Sequence, residues 1–355
     1  MLNNSLRILI VDDSTFFRHR LVEIIQAEPD LQVIGTAANG KEAIEKVAEL
    51  HPDLVTMDVQ MPVVDGISAV RQIMAEHPTR ILMLSALTKQ GARETLDSLE
   101  AGAIDFLSKD GDYRKAGATS GNFTDKFLDK IRTVSRSQLT NLRLDDAIHR
   151  STSYTHTAFH SLSRNGEHLG LVVIGASTGG PNALQVVLKC LPRSFSLPVL
   201  VAVHMPAGFT TAYAERLDNI CAVKVREATD LAPIRAGQIL IAPGGKQMTV
   251  SHGASGPQVR IKDASPEDVY HPSVDKLFTS AAITYKNKAL GVIMTGMGSD
   301  GLEGSRRLKA AGARLWCQDK DSCVVYGMPQ AVVGAGLSDR ILPIEELGPQ
   351  LTKQL

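Results

Sequence analysis

The chain has 355 residues, with 38 Lys plus Arg against 38 Asp plus Glu and a hydrophobic share of 43%. At roughly 150 residues per domain, this length suggests two domains or three. Gly and Pro, at 29 and 16, are too few for collagen-like or low-complexity chains, and the balanced charge excludes a nucleic-acid-coating protein. From the N-terminus, short aliphatic runs at Leu6–Val11, Gln32–Thr36, Leu54–Met57, Ile81–Leu84 and Ala103–Leu107 read as buried strands. Between them lie helical patterns: Phe17, Leu21 and Ile24 or Ile25 share one face, and Ile67, Val70, Ile73 and Met74 share another. A last helix is predicted from Phe123 to about Gln138. Five such β-α units predict a flavodoxin-like, doubly wound α/β domain over 1–138.

Periodicity is lost over 139–168, which reads as a flexible interdomain linker; its His156 and His160 make a poor zinc site without cysteines or an enclosing fold. The α/β rhythm resumes over 169–355, a second, Rossmann-like domain with a mostly parallel sheet. Its predicted strands are Leu171–Gly175, Val199–Val203, Ile239–Ala242, Met248–Ser251, Val259–Lys262, Leu290–Thr295 and Leu315–Gln318. The predicted helices are Asn182–Leu191, Thr211–Ile220, Leu277–Ile283 and Leu302–Ala311. Residues 1–138 carry 16 basic and 20 acidic side chains, whereas 169–355 carry 19 and 15, so the halves have opposite sign.

The four cysteines, 190, 221, 317 and 323, contain no CxxC pair and are expected to be buried thiols in a reducing compartment. The run Ile8–Val11 is too short for a signal peptide, and the long uncharged stretch Leu169–Leu188 has a polar break around Ser177–Asn182. A soluble, cytoplasmic protein with no direct membrane insertion is expected.

Asp12 and Asp13 end the first predicted strand and Asp58 the third. In open parallel sheets the ligand crevice lies beyond such carboxyl ends, at the topological switch point. Three gathered carboxylates require a compensating cation, and an oxygen-only set suits Mg²⁺. Lys109 and Ser85 end neighbouring strands and bring an ammonium and a hydroxyl to the same edge, a set suited to holding a transferred phosphoryl group. The segments Ile8–Ser14, Met57–Gly66 and Gly102–Lys109 resemble the motifs of two-component receiver domains. The resemblance implies Asp58 as phosphoacceptor, Asp12, Asp13 and Asp58 as the metal site, and Ser85, Phe106 and Lys109 as supporting residues. Receivers usually follow this lysine with proline, where this chain has Asp110.

Gly175–Gly179 fits G-x-S-x-G between a predicted strand and a helix, a setting that exposes a serine hydroxyl on a sharp turn, here Ser177. His204 ends the next predicted strand as candidate base; His252 and His271 are rivals in turn-rich sequence. Asp300, in a glycine loop after another apolar strand, is the candidate orienter. Nucleophile, base and orienter together point to acyl transfer, although the order Ser…His…Asp departs from that of α/β-hydrolases.

Ile174–Pro181, His204–Thr210, Met294–Gly301 and Ser322–Pro329 resemble the catalytic domain of the chemotaxis protein-glutamate methylesterase (CheB) family. That resemblance implies demethylation of glutamate methyl esters, and deamidation of particular glutamines, on methyl-accepting chemotaxis receptors, controlled by a phosphorylated receiver that acts as a lid. It also implies a catalytic triad of Ser177, His204 and Asp300, backbone oxyanion donors at Thr178 and Met297, a histidine kinase as phosphodonor, Mg²⁺ for phosphorylation and no cofactor for ester hydrolysis. Without a helix-turn-helix pattern, nucleic acid is not an expected partner. The alternatives are an acyl hydrolase or amidase serving a different signalling array, and a catalytically silent receptor-binding regulator.

Overall fold

Residues 5–86, 88–109, 123–137 and 169–354 are described by a computed structural model. The chain divides into two units, Met1–Asn141 and Leu142–Leu355. The predicted linker and the position after Lys109, Asp110, lie outside the described residues.

In the first unit, β1 (Leu6–Val11), β2 (Leu31–Ala37), β3 (Leu54–Asp58), β4 (Arg80–Ser85) and β5 (Asp105–Ser108) alternate with α1 (Thr15–Gln26), α2 (Gly40–Leu50), α3 (Gly66–Glu76), α4 (Lys89–Glu100) and α5 (Phe123–Ser135). The strands form one parallel sheet in the order β2-β1-β3-β4-β5. The order reverses between β1 and β3, which opens the crevice expected of a doubly wound sheet. Ile8, Ile10, Leu54 and Leu82 on the strands pack against Phe17, Leu21, Phe127 and Ile131 on the helices. The side chains of Ser14, Asn39, Asp65 and Thr88 accept a backbone N–H in the first turns of α1, α2, α3 and α4, so the sequence fixes where each helix starts. The strand expected from Ala103 begins at Asp105, because Gly102 and Ala103 donate to Leu99 and Ser98 and thus close the end of α4.

The second unit contains β6 (Leu171–Ala176), α6 (Gly180–Lys189), β7 (Val199–Val203), α7 (Phe209–Ile220), β8 (Lys224–Glu227), β9 (Gln238–Ile241), β10 (Lys246–Gly253) and β11 (Gly256–Asp263). It continues with α8 (Val274–Tyr285), β12 (Ala289–Ile293), α9 (Leu302–Ala310), β13 (Arg314–Gln318), α10 (Met328–Gly334), β14 (Arg340–Leu342) and α11 (Ile344–Thr352). Seven parallel strands form one sheet in the order β14-β13-β12-β6-β7-β9-β8, and β10 and β11 pair separately as an antiparallel hairpin. The hairpin covers one side of α8, where Val250 N–H donates to Ser280 Oγ at 2.9 Å. Leu171, Val173, Leu200 and Ile293 on the strands and Leu277 and Phe278 on α8 belong to one continuous core.

Sequence reading missed β8, β14, α10 and α11. The two strands are the edges of the sheet, short and with one fully buried residue each, so neither carries an apolar run. The helix α10 has only seven residues, and α11 carries Pro349 in its interior. Among the described residues, no helix is long and apolar enough to cross a membrane.

Candidate active site

The central strands β12, β6 and β7 are neighbours, and each delivers one residue to the same edge of the sheet. Ser177 follows β6 directly, His204 follows β7 directly, and Asp300 lies in the loop between β12 and α9. The sheet's bonding continues past the strand ends: His204 N–H donates to Ala176 O at 3.2 Å, and Ser177 N–H to Thr295 O at 3.0 Å. Both side chains are therefore aimed by backbone rather than by loose loops. His204 Nδ1 lies 3.1 Å from Ser177 Oγ and its Nε2 lies 2.8 Å from Asp300 Oδ2. The structure thus brings all three predicted residues into one hydrogen-bonded chain, with solvent reaching Ser177 and His204 while Asp300 is buried. The imidazole uses its two nitrogens in the opposite sense from the serine-protease template, where Nε2 meets the serine.

Asp300 is held by four donors. Besides His204, its carboxylate accepts from Ser273 Oγ at 3.0 Å, Val274 N–H at 2.7 Å and Asp275 N–H at 2.9 Å. These donors form the start of α8, whose dipole also favours a negative charge there. Burial alone would raise the Asp300 carboxyl, but the His204 hydrogen bond and charge, together with the Asp275 and Val274 amides, keep it below its ordinary value. A carboxylate held ionised in this way fixes a proton on the nitrogen facing it and leaves the other nitrogen to accept one.

A further strand-end segment braces the site and was assigned no role by sequence reading. Thr295 Oγ1 donates to Thr178 O at 3.0 Å and accepts from Val325 N–H at 3.0 Å, while Thr295 N–H donates to the buried Gln318 side chain at 2.8 Å. Thr295 thereby ties the serine turn to the 322–328 loop. Gly179, two residues after the serine, has φ of +74°, and a Cβ there would lie 2.5 Å from Val324, so the serine turn tolerates no side chain at this position. Thr178, next to the serine, is buried; Met297 is exposed, and its neighbour Gly296 packs against Ser177, where a Cβ would lie 2.8 Å from the serine Cβ. Because the Ser177 amide is already bonded to Thr295, it cannot serve as the oxyanion donor that a serine nucleophile's own amide supplies in the template.

In the first unit, carboxylate oxygens of Asp12, Asp13 and Asp58 all lie within 4.8 Å of one another. Lys109 Nζ stands 2.7 Å from Asp12 Oδ2 and 2.6 Å from Asp58 Oδ2. Burial pushes the Asp58 carboxyl up to about 6; Lys109 opposes this and the Asp12 charge adds to it. Asp12 Oδ2 is buried and accepts no hydrogen bond, the ammonium touching it without hydrogen-bond geometry. An all-oxygen set of three carboxylates against one ammonium fits a hard divalent cation such as Mg²⁺. Phe106 is buried in β5. Ser85 departs from expectation: its hydroxyl, predicted to face the crevice, is buried, donates to Gly91 O at 3.3 Å and lies 2.7 Å from Thr95 Oγ1. Gly91 and Thr95 stand one turn apart on the face of α4 above Ser85, and they draw the hydroxyl toward the helix.

The rival histidines stay outside the triad. His252 is exposed on β10, and His271 is exposed with its carbonyl bonded to Gly245 N–H at 3.2 Å. All four cysteines are free thiols, but only Cys317 and Cys323 are buried; Cys190 and Cys221, at the C-terminal ends of α6 and α7, are half-buried.

Residues 172–351 match the family model of the CheB methylesterase and residues 8–116 that of the response regulator receiver domain. The chain is 45% identical, over 98% of both sequences, to protein-glutamate methylesterase/protein-glutamine glutaminase 1 of Vibrio vulnificus strain YJ016. It is 40% identical, over 99% of both, to the protein-glutamate methylesterase/protein-glutamine glutaminase of Pseudoalteromonas translucida. The crystal structure of the Thermotoga maritima CheB methylesterase catalytic domain superposes with a TM-score of 0.51 at 35% identity, covering 53% of this chain and all of that one. With its two strand-end sites in this order along the chain, the protein belongs to the CheB methylesterase family and carries a response regulator receiver domain ahead of the methylesterase domain.

Proposed function

We propose that this protein is a phosphorylation-activated protein-glutamate methylesterase and protein-glutamine glutaminase acting on chemoreceptors, with Ser177, His204 and Asp300 as its catalytic residues. What supports this assignment is the hydrogen-bonded chain Ser177 Oγ–His204–Asp300, with contacts of 3.1 and 2.8 Å, at the open edge of the sheet.

Ser177 Oγ attacks the γ-carbonyl of a methylated glutamate while His204 Nδ1 takes its proton. Asp300 holds the Nε2 proton and stabilises the imidazolium. Backbone N–H groups at Thr178 and Met297 receive the oxyanion. The imidazolium then protonates the departing methoxide, which leaves as methanol and gives an acyl-serine. Water, deprotonated by the same nitrogen, cleaves that ester, restoring Ser177 and releasing glutamate. With a glutamine side chain, ammonia leaves in place of methanol and the product is the same carboxylate.

In the receiver, Asp58 takes a phosphoryl group from a histidine kinase of the two-component type. Asp12, Asp13 and Asp58 would hold a Mg²⁺ ion, which neutralises charge on the transferred group when bound. Lys109, already within 2.7 Å of two of these carboxylates, supplies a fixed positive charge, and Ser85 reaches the phosphoryl by turning away from Thr95. Phe106 is assigned the accompanying aromatic rearrangement.

The test is methanol release from membranes carrying methylated chemoreceptors, with and without a small phosphodonor. Ser177→Ala should abolish release while still accepting the phosphoryl group at Asp58. Asp300→Asn should cost several orders of magnitude, as the corresponding change cost ~10⁴ in a serine protease. Full methanol release from Ser177→Ala would rule out the triad.

A further inference from the structure

Tyr270, in the segment between β11 and α8, was not singled out by sequence reading. Its ring lies flat on the His204 imidazole, with 4.6 Å between ring centres and 9° between planes. The tyrosine is itself firmly seated. Its carbonyl accepts from Nε2 of the buried Gln247 at 2.7 Å, and Oε1 of the same amide accepts from Ser273 N–H at 2.9 Å. Its far end reaches the loop after β12: a Cβ on Gly298 would lie only 2.9 Å from the phenol oxygen, and Gly298 has φ of +81°. The phenol ring therefore extends from the base to the loop that carries Met297 and Asp300.

We infer that Tyr270 is a positioning residue for His204: its stacked ring fixes the imidazole plane and offers a π face to the imidazolium formed during proton transfer. A hydrogen bond from Nε2 to Asp300 anchors one edge of the imidazole but leaves the ring free to tilt about that axis, carrying Nδ1 away from the hydroxyl. A parallel aromatic surface removes that tilt. It also favours the cationic ring over the neutral one, because the quadrupole of the phenol attracts positive charge above its face. Both effects act on the proton-transfer step rather than on substrate binding, and small misplacements at a reacting centre are costly.

The inference rests on the Ser177–His204–Asp300 assignment, and the experiment keeps the two apart. Full-length Tyr270→Leu, Tyr270→Phe and Ser177→Ala proteins, phosphorylated to the same extent, are assayed for methanol release from methylated chemoreceptor membranes, and their unfolding midpoints are recorded. Tyr270→Leu should lower kcat by about tenfold with KM within about twofold, whereas Tyr270→Phe, which keeps the ring, should stay within about twofold of the parent in kcat. Labelling of Ser177 by a fluorophosphonate should slow in parallel with kcat. If Tyr270→Leu lowers the unfolding midpoint, Tyr270→Met replaces it and keeps the apolar volume. Wild-type turnover without the ring, or equal losses in Tyr270→Phe and Tyr270→Leu, overturns the stacking role. Methanol release by Ser177→Ala would remove the triad assignment instead.

Discussion

Asp58 occupies a position where its charge is costly. Its carboxyl stands at about 6 because burial outweighs the attraction of Lys109, and Asp12 adds a like charge beside it. An elevated value has a definite sign in stability. The stabilisation available from the neutral carboxyl is complete below the unfolded value of ~3.9 and is lost as pH rises through about 6. At neutral pH without a divalent ion, the ionised Asp58 therefore works against folding of the receiver. Asp58→Asn should raise the receiver's unfolding midpoint in EDTA at pH 7.5 by a few degrees, since ~1 kcal/mol moves a domain somewhat above 100 residues by roughly 4 °C. Mg²⁺ should raise the midpoint of the parent and hardly move that of the variant. A variant that melts below the parent in EDTA would mean that the Lys109 contact outweighs burial.

At the scale of elements, the Asp300 carboxylate is placed by an exchange between two helices. Asp300, just before α9, accepts amides from the start of α8, and Asp275, in the first turn of α8, accepts from Gly301 N–H at 2.9 Å and Gly304 N–H at 2.6 Å at the start of α9. Each helix thus caps the other, and the position of Asp300 depends on both. Asp275→Ala should cost about 0.5–2 kcal/mol of stability, the usual range for a lost cap, and should also lower kcat because Gly301 and Asp300 lose their tether. Denaturant unfolding and turnover measured on the same protein test this; a stability loss with unchanged kcat would show that the cap does not bear on the site. This exchange was not legible in the sequence, which placed Asp300 in a glycine loop as the orienter of the base and gave no sign of what holds it. Residues that follow buried central strands were legible, because an apolar run ending in Ser, His or Asp announces both the strand and the edge it reaches. Contacts between loops, such as Thr295 with Val325 or Tyr270 with His204, follow no period in the chain and appear only when the sheet order is known. Edge strands were missed for the related reason that one buried side chain makes no pattern.

Across the whole molecule, an acidic receiver half and a basic methylesterase half are joined in one chain, and under the proposed function phosphorylation at Asp58 changes turnover at Ser177 through a finite free energy. Allosteric coupling energies are commonly ~1–3 kcal/mol, which converts to about 5- to 150-fold in an equilibrium. Phosphorylation replaces the single charge of the Asp58 carboxylate with the roughly 1.5–2 negative charges of an acyl phosphate, in a cluster already under repulsion, so the receiver's conformational balance is open to a shift of that size. If the receiver acts by inhibition, residues 169–355 alone set the ceiling: this fragment should hydrolyse methyl esters faster than the unphosphorylated full chain, and a phosphodonor should bring the full chain toward the fragment's rate without exceeding it. Asp58→Asn should remain at the low rate whatever phosphodonor is added. The measurement is initial methanol release for the three proteins at equal concentration and fixed ionic strength, because opposite net charges on the two halves make any electrostatic part of the coupling salt-dependent. A phosphorylated full chain that clearly outpaces the fragment would show that the receiver contributes positively to catalysis or to substrate capture, and relief of inhibition would then be the wrong description.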